Sequence, residues 1–270
     1  MKKSKYKIVV LSDLKNSSDM ALKSTISLVK TIGADIKFFH VKKPIDVVNR
    51  DSQLSTFRTI NEQHNLTKKC IENLIHPVSK AYGVTVDYSY AFGNVKNEIQ
   101  DYLEEHQPDI VVLGKRKKGL LGDNITKFVL KAHKGPILVV GKQNNIDSDK
   151  DLSIGVLNSE GINSNELLVS DLLSNSQKPL KAFKVINQGQ AQGKTETITN
   201  NMVEYVFERN DNTVSNLSKY LLKSNVNLLY LSRESRGKDG LKKSDIKDVI
   251  NKLDVSILLS GESNGINNSI

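Results

Sequence analysis

The sequence predicts an α/β fold built from two tandem repeats, each a five-stranded, mostly parallel sheet flanked by helices. Three observations carry this. Short, continuous apolar runs alternate with amphipathic stretches, as in strands buried on both faces and joined by helical crossovers. The same alternation returns in the second half at matched positions. The length of 270 residues suits two units of roughly 100–150 each.

The first half reads in order as strand and helix by turns. Lys7–Leu11 is β-branched and apolar, a strand. Ser17 or Ser18 can cap a helix over 19–31, whose apolar face holds Ala21, Leu22, Ile26, Leu28 and Val29. Gly33 suits the left-handed residue that closes it. Ile36–Val41 is the second strand. Residues 52–82 form a long helix with Leu54, Ile60, Leu66, Ile71, Leu74 and Val78 among its apolar positions, and Cys70 as a small buried residue. Val84–Ala91 is the third strand and 95–106 a helix through Val95, Ile99 and Leu103. Asp109–Leu113 is the fourth strand, 123–132 a helix and Pro136–Val140 the fifth strand.

The repeat is visible as fixed offsets. At 146, Lys7–Asp13 falls on Ser153–Ser159, and Ala21-Leu22 falls on Leu167-Leu168. At 118, Ile99, Tyr102 and Leu103 fall on Leu217, Tyr220 and Leu221, and Asp109–Leu113 on Asn227–Leu231. At 120, Ile137–Gly141 falls on Ile257–Gly261. The drop from 146 to 118 removes the long helix from the second copy and leaves the polar loop Asn187–Asn200. The expected division is repeat 1 over 1–144, a degenerate repeat 2 over 150–261, and a polar tail over 262–270.

Composition narrows the function. The formal charge is +9, and it is uneven. Residues 1–145 carry 24 Lys+Arg and 14 Asp+Glu; residues 146–270 carry 15 and 16. A basic first half favours anionic partners without naming one. The apolar runs are too short to span a membrane or to serve as the core of a secretion signal. One Cys excludes an intrachain disulfide and a four-thiolate metal site, and the expected setting is cytoplasmic. The five His show no metal-ligand spacing, and His40 reads as a packed strand residue. No nucleophile motif supports a hydrolase, and the basic run Lys115–Lys118 lacks the interleaved aromatics of a nucleic-acid module.

Several segments carry a family resemblance. Ile8-Val-Val-Leu-Ser-Asp13 followed by Ser18 and Ala21-Leu22 resembles the opening strand and helix of universal stress protein domains. Gly33–Val41, Asp109–Gly114 and Gly135–Val140 resemble their second, fourth and fifth strands. The resemblance covers about residues 5–142 and reaches the second copy through the internal repeat. It implies the adenine nucleotide alpha hydrolase-like sheet, with fifth strands facing each other between units: here Pro136–Val140 and Ser256–Ser260. It also implies that ATP or AMP is a possible ligand of repeat 1, since some members bind these and others do not.

The resemblance maps a candidate site onto Asp13, Val41, Gly114, Lys115, Lys117, Gly122 and Asp123. Asp13 matches the nucleoside-contacting carboxylate; read from residues alone, it is equally a turn residue bonding nearby N–H groups. Val41 matches the adenine-pairing backbone position and is otherwise a core or rim residue. Phosphate-binding members carry Gly-x-x-Gly, nine residues, then Gly with Ser or Thr. This chain keeps Gly114, puts Lys117 at the second glycine, shortens the gap to Gly122 and ends on Asp123. A side chain at 117 hinders backbone approach, and the Asp123 carboxylate repels phosphate unless magnesium bridges them. Lys115-Arg-Lys-Lys118 either supplies replacement cations or is a solvated loop. In the second copy Ser159 replaces Asp13, so a ligand is not expected there. The expected function is a non-catalytic stress-response protein, a regulatory or scaffold module with a degraded nucleotide site. It would have a protein partner or self-associate. The alternative is an ATP- or AMP-binding regulator acting through repeat 1.

Overall fold

The computed structural model describes residues 5–15, 17–43, 53–115, 124–142, 146, 151–158, 167–176, 178–186, 202–210, 212–233 and 249–262. The first half runs β1 (Tyr6–Ser12), α1 (Ser17–Ile32), β2 (Ala34–Lys42), α2 (Gln53–Tyr82), β3 (Val86–Phe92) and α3 (Val95–His106). It closes with β4 (Ile110–Gly114), α4 (Asn124–Ala132) and β5 (Ile137–Val140). The second half runs β6 (Ile154–Leu157), α5 (Leu167–Ser174), β7 (Leu180–Ile186), β8 (Met202–Glu208) and α6 (Thr213–Lys223). It ends with β9 (Leu228–Leu231), a helical turn over 249–252 and β10 (Ser256–Leu259).

All ten strands share one sheet in the order β3-β2-β1-β4-β5-β10-β9-β6-β7-β8. Each half has the same internal order, and every neighbouring pair is parallel except β5 with β10. The ladders reproduce the sequence offsets. Ile8 pairs with Ile110 while Ile154 pairs with Leu228, and the antiparallel pair sets Ile257 opposite Val139. Only residues 187–201 join β7 to β8, a connection far shorter than the thirty-residue α2 that joins β2 to β3. Those residues lie outside the described set, as does the tail beyond Glu262.

Two apolar layers sandwich the sheet, and each runs through both halves. One gathers Ile8, Val10, Phe38 and Val156 under α1, α2 and α5; the other gathers Val9, Phe39, Leu157 and Phe183 under α3, α4 and α6. Burying one such side chain contributes about 1.5–3 kcal/mol, so the layers supply the main drive for assembly. Helix α2 departs from its simple reading. Ile71 and Val78 are buried, but Ile60 and Leu66 are 44% and 52% exposed, and Cys70 lies on the surface rather than in the core. Its docking on β3 is largely polar and aromatic: Tyr88 Oη donates to Glu72 at 2.8 Å, and His64 packs on Phe92.

The junction between halves is close backbone packing. A β-carbon on Gly141 would sit 2.1 Å from Asp254 O and 2.5 Å from Val255 C, so only glycine fits without backbone movement. Its counterpart Gly261 faces Lys134 O, with more room at 3.3 Å. Among the described residues, Lys115 and Arg233 cross the junction at matched positions. Arg233 donates to Leu130 O at 3.3 Å, His133 O at 3.0 Å, Lys134 O at 2.9 Å and Gly135 O, and also to Ser260 O at 2.6 Å. Lys115, its equivalent at the offset of 118, donates to Leu253 O and lies 3.4 Å from Asp254 Oδ1. Each cation therefore caps carbonyls at the end of a helical segment in the other half, where the helix dipole favours positive charge. On the α1 side, Lys5 and Tyr6 both donate to Asp171, at 2.5 and 2.6 Å.

Gly141→Ala is expected to destabilise the protein by roughly 1–3 kcal/mol through overpacking, seen as a lower urea midpoint. Gly261→Ala, with its wider gap, should stay within about 1 kcal/mol of the parent. Equal effects would contradict the assigned asymmetry of the junction.

Candidate functional site

The strand order reverses between β1 and β4, which opens a crevice beyond their carboxyl ends. Ser12, Asp13, Ser17, Ser18, Leu113, Gly114 and Ile125 line it. The enclosed part holds about 10 Å³, room for about one water. Asp13 and Gly114, 101 positions apart in sequence, thus meet as walls of one space.

The Asp13 wall is a tight, serine-bonded turn. Asp13 Oδ1 accepts from Lys15 N at 3.1 Å and from Ser18 Oγ at 3.5 Å, the Asx geometry of a turn residue. Ser12 Oγ donates to Ser18 Oγ at 2.6 Å and accepts from Leu14 N at 3.0 Å. Leu14 is left-handed at φ +57°, a conformation that a branched-chain residue holds only when its surroundings impose it. Ser18 therefore serves the turn with its hydroxyl rather than simply capping α1. Behind the turn, His40 is 6% exposed, and its Nδ1 lies 2.9 Å from Ser12 O. Burial holds the His40 imidazole below its ordinary value of 6.5; Lys42 adds to this, while the Ser12 carbonyl and Asp13 oppose it.

The facing wall begins at Gly114. A β-carbon there would stand 2.8 Å from Ser17 O and 3.0 Å from Ser17 Cβ, so the start of α1 rests directly on this glycine. Lys115 follows, with its N–H on Val140 O at 2.9 Å and its ammonium carried toward Leu253 O and Asp254 at the junction. Val41 lies at the end of β2 beside Ala91, half-buried against the α3 layer. Lys117, Gly122 and Asp123 lie outside the described residues. Among the described residues, no group of three or more His, Cys, Asp or Glu is placed to hold a metal ion.

Among the described residues, the second half differs at the equivalent positions. Ser232 and Arg233 stand where Gly114 and Lys115 do, and Arg233 is engaged across the junction. In the ladder beside Val185, the counterpart of Val41, Phe207 replaces Ala91 and Tyr205 replaces Ser89. Their rings pack with Phe183 and Tyr220 at 5.0–6.4 Å, filling that end of the strands with side chains. The paired roles of Lys115 and Arg233 escaped the sequence reading. The offsets held the signal, because they also set Leu253-Asp254 on His133-Lys134.

A family model described as the universal stress protein family matches residues 6–141, half of the chain. The chain belongs to the universal stress protein family. Among solved structures, a universal stress protein from Archaeoglobus fulgidus DSM 4304 superposes with a TM-score of 0.67. The two share 12% identity, with 96% of this chain and 97% of that one covered. A putative universal stress protein from Pseudomonas aeruginosa UCBPP-PA14 gives 0.56 at 12% identity, covering 94% and 92%. No curated protein matches the chain in sequence. At these identities the superpositions establish the fold, and they extend the universal stress protein architecture across both halves. No helix among the described residues is long and apolar enough to cross a membrane.

Two buried histidines lead to an expected acid response of the fold. His133, like His40, is held below 6.5 chiefly by burial, with Arg233 adding to the effect. In the unfolded chain both protonate near 6.5, so the unfolded state binds more protons as pH falls. Stability should therefore decline below about pH 7 and level off under the folded-state values. Asp171, held below 3.8 by Lys5 and Tyr6, adds a separate loss only near that pH and beneath it. Urea midpoints between pH 7.5 and 5.0 should fall for the parent and fall less for His40→Asn. A flat parent profile would contradict the assignment.

Proposed function

We propose that this universal stress protein is a non-catalytic regulatory or scaffold module whose nucleotide site is degraded, working through protein partners. Its two repeats span residues 1–144 and 150–261, and a cytoplasmic setting fits its single Cys. One observation carries the reading. The residues that open the phosphate-side loops, Lys115 and Arg233, are engaged with backbone carbonyls across the junction. A cation already tied to a carbonyl and to Asp254 has fewer donors left to offer a phosphate. The Asx turn that already engages the Asp13 carboxylate supports the same reading.

A second reading, an adenine-nucleotide-binding regulator, is favoured by the meeting of Asp13 and Gly114 in one crevice at the reversal of strand order. Isothermal titration calorimetry with ATP and AMP, with and without magnesium, separates the two. The first reading expects no saturable heat up to millimolar ligand. Saturable binding at micromolar ligand, lost in Asp13→Ala, would establish the second and overturn the first.

A further inference from the structure

We infer that His40 is a positioning residue for the crevice: its Nδ1–H holds the Ser12 carbonyl and thereby fixes the turn that presents Asp13. The Ser12 carbonyl only accepts, so at 2.9 Å the proton between the two atoms belongs to His40 Nδ1. That carbonyl is part of the peptide plane joining Ser12 to Asp13. Because the peptide is rigid and trans, holding its oxygen also fixes the direction of the Asp13 N–H. Ser12 is the last residue of β1 paired with β2, opposite His40 itself. The side chain takes hold of the backbone at the point where the ladder stops.

Everything downstream depends on that peptide. Leu14 reaches its left-handed conformation while its N–H is held by Ser12 Oγ, and Asp13 Oδ1 closes the turn on Lys15 N. A buried imidazole is costly to desolvate and stays only where its hydrogen bond is made, whereas an aliphatic side chain on this strand would pack without that cost.

The second repeat serves as an internal control. There Asn158 occupies the place of Ser12 and closes its own strand end, accepting from Val185 N at 2.9 Å and donating from its N–H to Phe183 O at 2.7 Å. Lys184 stands at the His40 position, and Ser159 replaces Asp13. Within one chain, the histidine clamp accompanies the copy that carries the aspartate and is missing from the copy that lacks it.

The test compares His40→Leu and His40→Gln, which remove a donor at the Nδ1 position, with His40→Asn, whose amide N–H sits there. Amide hydrogen exchange followed by NMR should accelerate about tenfold or more at Leu14 and Lys15 in the Leu and Gln variants. It should return to within about threefold of the parent in His40→Asn, with Lys115 N–H unchanged in all three. If His40→Leu fails to fold, His40→Gln carries the comparison. Parent-like exchange in the Leu or Gln variant, or no rescue by Asn, overturns the proposal. A second arm, titration with AMP, rests on the nucleotide-binding reading. If AMP binds none of the proteins, that reading fails and the clamp stands on the exchange data. If AMP binds the parent and His40→Leu equally, the clamp has no role in the site.

Discussion

The pairing of β5 with β10 is the constraint on which the rest of the structure depends. Both strands are four residues long and fully buried. Left at the edge of a five-stranded sheet, either would present an apolar ribbon with unpaired backbone groups to water. Antiparallel pairing about a pseudo-twofold axis removes both edges at once and produces one ten-stranded sheet with two shared apolar layers. The glycine at 141 lets the backbones approach, and the crossed cations at 115 and 233 donate to carbonyls at helix ends in the opposite half.

This arrangement bears on what the loops can do. Lys115, directly after β4, and Arg233, two residues after β9, both reach into the opposite half. The second half carries aromatic rings at the strand ends where the first has Ala91 and Ser89, and it joins the first in one sheet. The first repeat keeps a crevice whose walls are held from two directions, by His40 on the Asp13 side and by the junction on the Gly114 side.

Much of the fold was legible because strands buried on both faces leave continuous apolar runs, and these marked all five strands of the first half, while the pairing of the fifth strands followed only from the family resemblance. Boundaries moved by a residue or two, as at β1, where hydrogen bonding extends to Tyr6 and Ser12 beyond the apolar run. Cys70 was misread because α2 is held partly by Tyr88, Tyr90 and Phe92, not by an apolar stripe alone, so its periodicity overstates its buried face. In the site, Asp13 and Gly114 were legible from motif position. The target of Lys115 was not, because Asp254 lies 139 residues away and a charge run carries no address. His40 was legible as a packed residue; its bond to Ser12 depends on strand register, which sequence alone does not provide.

Native-state hydrogen exchange across the sheet tests the central claim most directly. If the β5–β10 pairing makes the two halves one cooperative unit, amides of 137–139 and 257–259 should exchange only through global unfolding. Their protection should match that of Val10 in β1 and Val156 in β6, and rise and fall with overall stability as urea is added. Seam amides that exchange much faster than those of β1 and β6, with the two halves showing separate opening free energies, would contradict the account.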